Sequence, residues 1–265
     1  HLDKSHVYLN LLNRDYEGEI KNFGDTVKIN QVGDVSIKDY TKGTDIDAPE
    51  DITGEQQELK IDQAKYFNFA VDDVDNAQTN PKQKDKAMQR AAYAMNDVVD
   101  AFAANLLAIN VHADNAIGTN EAPIVPTKAD AYDYLVDLNT KLTEANVAKM
   151  GRWVVIPAFY HGLLLKDDRF VGNGTDYNQA ILEGGEVGKA AGFTVYVSNN
   201  VPHTEGTKYK VIAGTTEAGS YAEQILNTEA YRPEKRFSDA VKGLHTYGAK
   251  VLQSKCIAVL TCNKA

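Results

Sequence analysis

Residues 80–110 read NPKQKDKAMQRAAYAMNDVVDAFAANLLAIN. Asn80 is a good N-cap, since its side chain can accept from an orphan N–H. Pro81 is a favoured first-turn residue, since it brings no N–H to satisfy. Beyond them Ala87, Ala91, Met95, Val98, Phe102, Leu106 and Ile109 recur at steps of three or four, the spacing of one helix face. This predicts a helix running to Asn110, about 45 Å of rod at 1.5 Å per residue. Globular helices average ~10–14 residues, so a rod this long is a spine for other elements. Its many alanines let a neighbour pack close. Val98 and Phe102 are expected to face a sheet of the same chain.

Upstream of the rod, residues 25–71 read as strand, long loop, strand. Val27 and Ile29 alternate with Lys28 and Asn30, and Val35 and Ile37 with Ser36 and Lys38. Gly33-Asp34 between them suits a tight turn or a bulge. Leu59 and Ile61, then Phe67, Phe69 and Val71, continue the alternation on the far side. The loop from Lys42 to Glu58 carries Asp45, Asp47, Glu50, Asp51, Glu55 and Glu58 against the single cation Lys42. A structureless loop of that length is uncommon inside a compact domain. A two-stranded ribbon with such a tip has too little core to stand alone, so it asks for a partner surface.

Downstream, Thr127 with Asp130 three residues later forms a capping-box analogue for a second helix. Tyr132, Leu135, Leu138 and Leu142 make its apolar stripe, and Gly151 is the expected stop. RWVVIP (152–157) reads as a buried strand and AFYHGLLLK (158–166) as a short helix. FTVYV (193–197) and YKVIA (209–213) are further strands. The tail from Gly248 to Cys262 is rich in β-formers and returns the chain to a sheet. Helices and strands mix without regular alternation, which defines an α+β fold rather than a doubly wound one.

The 265 residues carry a formal net charge of −9, and 43% are hydrophobic. That composition supports a sizeable core and opposes free binding to nucleic acid, whose partners present a basic surface. No apolar run reaches the roughly 18 residues that cross a bilayer, and residues 1–10 lack the basic and apolar regions of a signal peptide. Cys256 and Cys262 would sit about 20 Å apart on an extended strand, too far to bond to each other without a turn.

Candidate chemistry is sparse. GGEVGKAAG (184–192) invites a phosphate-binding reading. A P-loop, however, needs glycine where Glu183 stands and Ser or Thr where Ala190 follows Lys189. The stretch also precedes a strand, so a glycine-rich turn is the simpler account. The histidines, His1, His6, His112, His161, His203 and His245, lack metal-pair spacing and read as surface or capping residues. Asp72-Asp73 and Asp167-Asp168 read as solvated faces or caps. Asn173-Gly174-Thr175 matches a sequon and is more simply a turn. Arg232, Lys235, Arg236 and Lys242 cluster in RPEKRFSDAVKGL, interrupted by Glu234 and Asp239, which suits acidic protein surface better than phosphates.

The order of parts is an extended arm, a long ribbon, one very long helix, a mixed central region and a returning sheet. It resembles the Hong Kong 97-type fold of tailed-bacteriophage major capsid proteins. GKAAGFTVYVSNNVP (188–202), RWVVIP followed by Ala158-Phe159, and RFSDAVKGLHTYGAKV (236–251) look like stretches of that family. The resemblance implies an N-terminal arm (1–20), an E-loop ribbon (21–75) and a P-domain with a spine helix (76–112). It further implies an A-domain (113–233) and a P-domain return (234–265). It implies a structural, non-enzymatic subunit without cofactor or metal. Such a subunit would self-assemble into pentamers and hexamers around DNA that it does not bind tightly, with scaffolding, portal and decoration proteins as further partners. Its place would be the virion capsid, assembled in the host cytoplasm. The expected inter-subunit contacts join Asp45, Asp47, Glu50, Asp51 and Glu55 of the loop to Arg232, Lys235 and Arg236 of a neighbour. An encapsulin compartment shares the fold but would open with an N-terminal helix, where this chain reads as extended. From other classes, a small enzyme binding a phosphorylated ligand through 184–192 and an adhesin-like surface protein are the competing readings.

Overall fold

The computed structural model describes residues 6–15, 24, 26–30, 37, 39–40, 42–43, 45, 56–72, 83–167, 186–234 and 238–264. Its centre is a six-stranded mixed sheet. The order is β4 (Ala116–Ile117), β11 (Ile257–Cys262), β8 (Tyr209–Gly214), β5 (Trp153–Ile156), β7 (Phe193–Val197), β6 (Glu186–Ala190). Every residue of β5 and β11 is buried, because both faces are covered. One face receives α3 (Ala131–Glu144) and α4 (Ala158–Leu164). There Leu135, Leu138, Leu142, Tyr160 and Leu164 pack on Val154, Ile156, Phe193 and Leu260. The other face receives the spine helix α2 (Gln83–Ile109) and the one-turn α1 (Tyr8–Leu11). Here Val99, Ala103, Leu107, Tyr8 and Leu11 meet Trp153, Val155, Ile212 and Val259. The alternation of Trp153 and Val155 with Val154 and Ile156 therefore feeds two separate cores.

A second, three-stranded sheet is antiparallel in the order β3 (Gln63–Asp72), β10 (Ser238–Val251), β9 (Gly219–Tyr231). The ribbon is β1 (Thr26–Asn30) paired with β2 (Gln56–Lys60), Val27 opposite Leu59 and Ile29 opposite Gln57. Val27, Ile29, Leu59 and Ile61 form a small third core with Ala222. Lys60 passes so close to β10 that a Cβ on Gly248 would lie 2.3 Å from its carbonyl oxygen, so only glycine fits there.

Several expectations are met and several corrected. The helix from 83 to 109, both strands of the central motifs and the short helix after Pro157 form as read. Asn80, Pro81, Val35, Gly33-Asp34, Asp73 and Asn173-Gly174-Thr175 lie outside the described residues, and Ile37 is fully exposed. The expected second arm of the ribbon divides. Its first part, including Gln56–Glu58 expected in the loop, pairs with β1, whereas β3 belongs to the other sheet. The Thr127–Asp130 pair forms, with Thr127 N–H donating to Asp130 Oδ1 at 2.5 Å. Gly151 does not end α3. Asn146 does, at φ 60°, with Asn146 N–H donating to Thr143 O and Val147 N–H to Leu142 O, both at 3.0 Å. These are the two bonds of a Schellman ending, which asparagine supports because it tolerates the left-handed conformation. The arm, read as extended, contains the single turn α1. Arg152, at the head of RWVVIP, is buried, and among the described residues no acid pairs with it. Its guanidinium donates to the carbonyls of Asn139, Val147 and Ala148 and to Thr143 Oγ1, closing the C-terminal end of α3.

Candidate assembly surfaces and the junction of the two sheets

The spine helix has two apolar stripes. Val99, Ala103 and Leu107 enter the core of their own chain. The stripe picked out by sequence, Ala91, Met95, Val98, Phe102, Leu106 and Ile109, is a different one, half-buried to exposed along its length. Val98 is 45% exposed and Ile109 79%, so the expectation that Val98 faces a sheet is wrong. Phe102 does reach the three-stranded sheet, edge-on to Tyr247 with ring centroids 5.4 Å apart. Periodicity identified a face able to be buried but not who buries it. Leu106 and Asn110 border a groove completed by Gln57, Glu58, Lys250, Val251 and Leu252.

The three-stranded sheet also has an open face. Tyr66, 78% exposed, stands opposite Leu244, and Tyr231 lies further along. Lys242 Nζ lies 3.0 Å from Glu229 Oε2 and 5.4 Å from the Tyr231 ring centroid, and Tyr231 donates to Asn68 Oδ1 at 3.1 Å. Of the expected contact residues, Asp45 is exposed, and so is Arg232, whose Nε lies 3.3 Å from Asp239 Oδ1 of the same chain. The Arg232 charge is thus partly answered at home. Asp47, Glu50, Asp51, Glu55, Lys235 and Arg236 lie outside the described residues.

Two polar clusters that sequence reading passed over join the arm to the body. Asp100 is fully buried on the spine helix. Its Oδ1 accepts from Tyr8 N–H at 2.8 Å and Leu9 N–H at 3.4 Å, and its Oδ2 from Asn200 Nδ2 at 3.0 Å. Burial raises its pKa, opposed by these hydrogen bonds and by His6. The second cluster centres on Glu223 of β9. It accepts from Tyr221 Oη at 2.6 Å, lies 3.1 Å from His245 Nε2 and pairs with Arg14. The bond to His245 leads the effects that hold Glu223 down at about 2. His245 is therefore a buried partner, not the surface or capping residue expected. His112 and His203 do act as local caps, accepting from Asp114 N–H and Gly206 N–H. The available signal for Asp100 was an acid set in VVDAF, inside the apolar part of the helix.

From Glu186 onward, the stretch read as a possible phosphate loop is a β-hairpin. Ala190 pairs with Phe193 across Ala191 (φ 49°) and Gly192 (φ 84°), two positive-φ residues as a type I′ turn requires. No helix N-terminus follows it. Cys256 and Cys262 are free and buried in the cores on opposite faces of the six-stranded sheet, and burial pushes the Cys262 thiol up to about 12. Among the described residues no helix is long and apolar enough to cross a membrane, and no group of three or more His, Cys, Asp or Glu side chains could hold a metal.

A ribbon, a spine helix, a mixed central sheet and a returning strand together make a capsid subunit of the Hong Kong 97 type. The family model for phage capsid protein matches residues 54–260, most of the chain, and the chain belongs to that family. The solved structures to which it is similar agree. That of Mycobacterium phage Che8 is 29% identical, with a TM-score of 0.76, covering 98% of this chain and 92% of that one. The capsid of cyanophage P-SCSP1u gives a TM-score of 0.78 at 16% identity, over 100% and 90%. The SrpI encapsulin complex of Synechococcus elongatus PCC 7942 gives 0.63 at 16%, over 96% and 86%, a likeness of fold alone. No curated protein matches the sequence. The protein is a structural subunit of a phage head, and its place is the virion shell.

Proposed function

We propose that the subunit closes into pentamers and hexamers of an icosahedral head and that its partly exposed apolar stripe, with Val98 and Ile109, is an assembly surface for a second copy of the chain. One observation carries this: a 27-residue helix with two apolar stripes, of which one is buried by the described residues and the other leaves Val98 and Ile109 exposed. The domain division is the one read from sequence: arm 1–20, E-loop 21–75, P-domain 76–112 with its return at 234–265, and A-domain 113–233. The acidic tip, with Asp45, Asp47, Glu50, Asp51 and Glu55, docks on a neighbour near Arg232, Lys235 and Arg236. Each exposed ion pair is worth only ~0.2–1 kcal/mol, but a closed shell repeats it at every subunit.

The role is architectural, without a catalytic step. Assembly takes place in the host cytoplasm with scaffolding, portal and decoration partners. The net charge of −9 repels a polyanion, so the lining encloses DNA without gripping it. The free subunit should bind duplex DNA more weakly than about 10 μM at physiological salt. Light scattering and negative-stain imaging of purified or coexpressed chain test the assembly reading. Capsomers or hollow particles are expected, and a sharp monomer at every concentration, with and without scaffold, would overturn it. Replacing residues 42–54 by a tight turn should leave the subunit folded and abolish closed particles.

A further inference from the structure

We propose that residues 6–15 form an intramolecular strap, latched at both ends, that holds the six-stranded and three-stranded sheets at one angle. The segment crosses three bodies in ten residues. Its first latch is Asp100, which takes the backbone N–H groups of Tyr8 and Leu9 on one carboxylate oxygen. On the other it takes Asn200, from the turn that follows β7 in the six-stranded sheet. Asn200 Nδ2 also reaches Asp97 at 2.9 Å, and His6 lies 3.7 Å from that same Asp97 oxygen. Tyr8, Leu11 and Leu12 are buried between these bodies.

The middle of the strap leaves the spine helix and joins the other sheet. Asn13 forms a parallel bridge with Ser220 at the start of β9. Asn13 N–H donates to Gly219 O at 3.0 Å, and its carbonyl accepts from Tyr221 N–H at 2.9 Å and Ser220 Oγ at 3.2 Å. The approach is tight enough that a Cβ on Gly219 would lie 3.2 Å from a Leu12 methyl. The second latch is Arg14, paired with Glu223 and stacked 5.4 Å from the Tyr221 ring centroid. Glu223 in turn holds His245 of β10. The strap thus meets Gly219, directly after the crossing 215–218, and Leu252 N–H, at the start of the second crossing 252–256, donates to Ala218 O of the first at 2.9 Å.

Such a device has a use in a closed shell of two kinds of capsomer: a subunit whose two sheets keep one angle leaves the contacts between subunits to take up the difference. That use rests on the assembly reading, but the strap itself is a property of the single subunit. Amide hydrogen exchange on the full chain, unassembled, tests it without reference to particles. Arg14→Ala removes an exposed latch at little risk to folding. Amides of residues 8–13, 215–221 and 252–254 should then exchange about two- to fivefold faster, while those of β5 and β11 keep their rates. Acceleration confined to residues beside Arg14 would overturn the proposal, as would an equal rise in β5 and β11, or no rise. A disulfide between Asn13→Cys and Ser220→Cys, added to Arg14→Ala, should restore the original rates. Failure to restore them with the disulfide formed would also overturn it.

Discussion

The two sheets of this subunit are treated in opposite ways. The six-stranded sheet is covered on both faces by its own chain, α3 and α4 on one side and the spine helix with α1 on the other. The three-stranded sheet is covered on one face in part, and on the other it shows Tyr66, Leu244 and Tyr231. The spine helix repeats the contrast along a single element, with Val99 and Leu107 buried and Val98 and Ile109 exposed. A residue buried in the core of the subunit and a residue left at its surface can be neighbours in sequence. Their side chains differ little in hydrophobicity; what separates them is which surface they meet.

Substitutions in each region should separate folding from joining. Phe193 is fully buried between α3 and the six-stranded sheet, so Phe193→Ala should cost roughly 3–5 kcal/mol in denaturant unfolding of the subunit. A loss under about 1 kcal/mol would mean that this core is not closed. Phe102 meets Tyr247 but keeps part of its surface in water. Phe102→Ala should therefore fall below that range, at about 1–3 kcal/mol, and the loss should grow when unfolding starts from assembled particles.

The Glu223 cluster sharpens the contrast through pH. A carboxyl held down at about 2 binds protons less readily folded than unfolded. Its stabilisation is complete above the ordinary carboxylate range and is lost as pH falls from about 4.5 toward 2. Asp100 has the opposite sign. Burial raises its pKa, so the folded form takes up the proton first and mild acid relieves a cost. Glu223→Gln should flatten acid unfolding in that lower window, and an unchanged pH profile would contradict the pairing. The smallest effect on the subunit should come from Val98→Asp, within about 1 kcal/mol on stability, while particle yield collapses. If Val98→Asp subunits assemble normally, the exposed stripe is not an interface.

The central sheet was legible because its strands are short apolar runs bounded by Pro157, Gly192 and Gly214, and two covered faces leave no ambiguity about which residues belong inside. The spine helix was legible in length but not in orientation. Its alanines blur the boundary between stripes, so the large side chains of the more exposed stripe outweighed Val99, Ala103 and Leu107. β9 and most of β10 escaped notice, since Lys242, Gly243 and Glu229 break the alternation that marks a strand. Asp100, Glu223 and Arg14 were invisible for a different reason. The arm residues that meet Asp100 and Glu223 lie 91 to 209 residues away in sequence, and His245 meets Glu223 only through strand pairing, so no local pattern carries these contacts.

β10 gives the subunit a mechanical character. Residues 238–247 of this strand pair with β3 on one side and residues 240–251 with β9 on the other, and after a short turn the same stretch of chain enters the larger sheet as β11, between β4 and β8. A pull along this axis loads two ladders lengthwise, so many hydrogen bonds must slip together rather than open one by one. The wall of a pressurised vessel needs that kind of tie. Here a tensile member runs from the open sheet through one short turn into the closed one, and the C-terminal segment acts as the subunit's tendon.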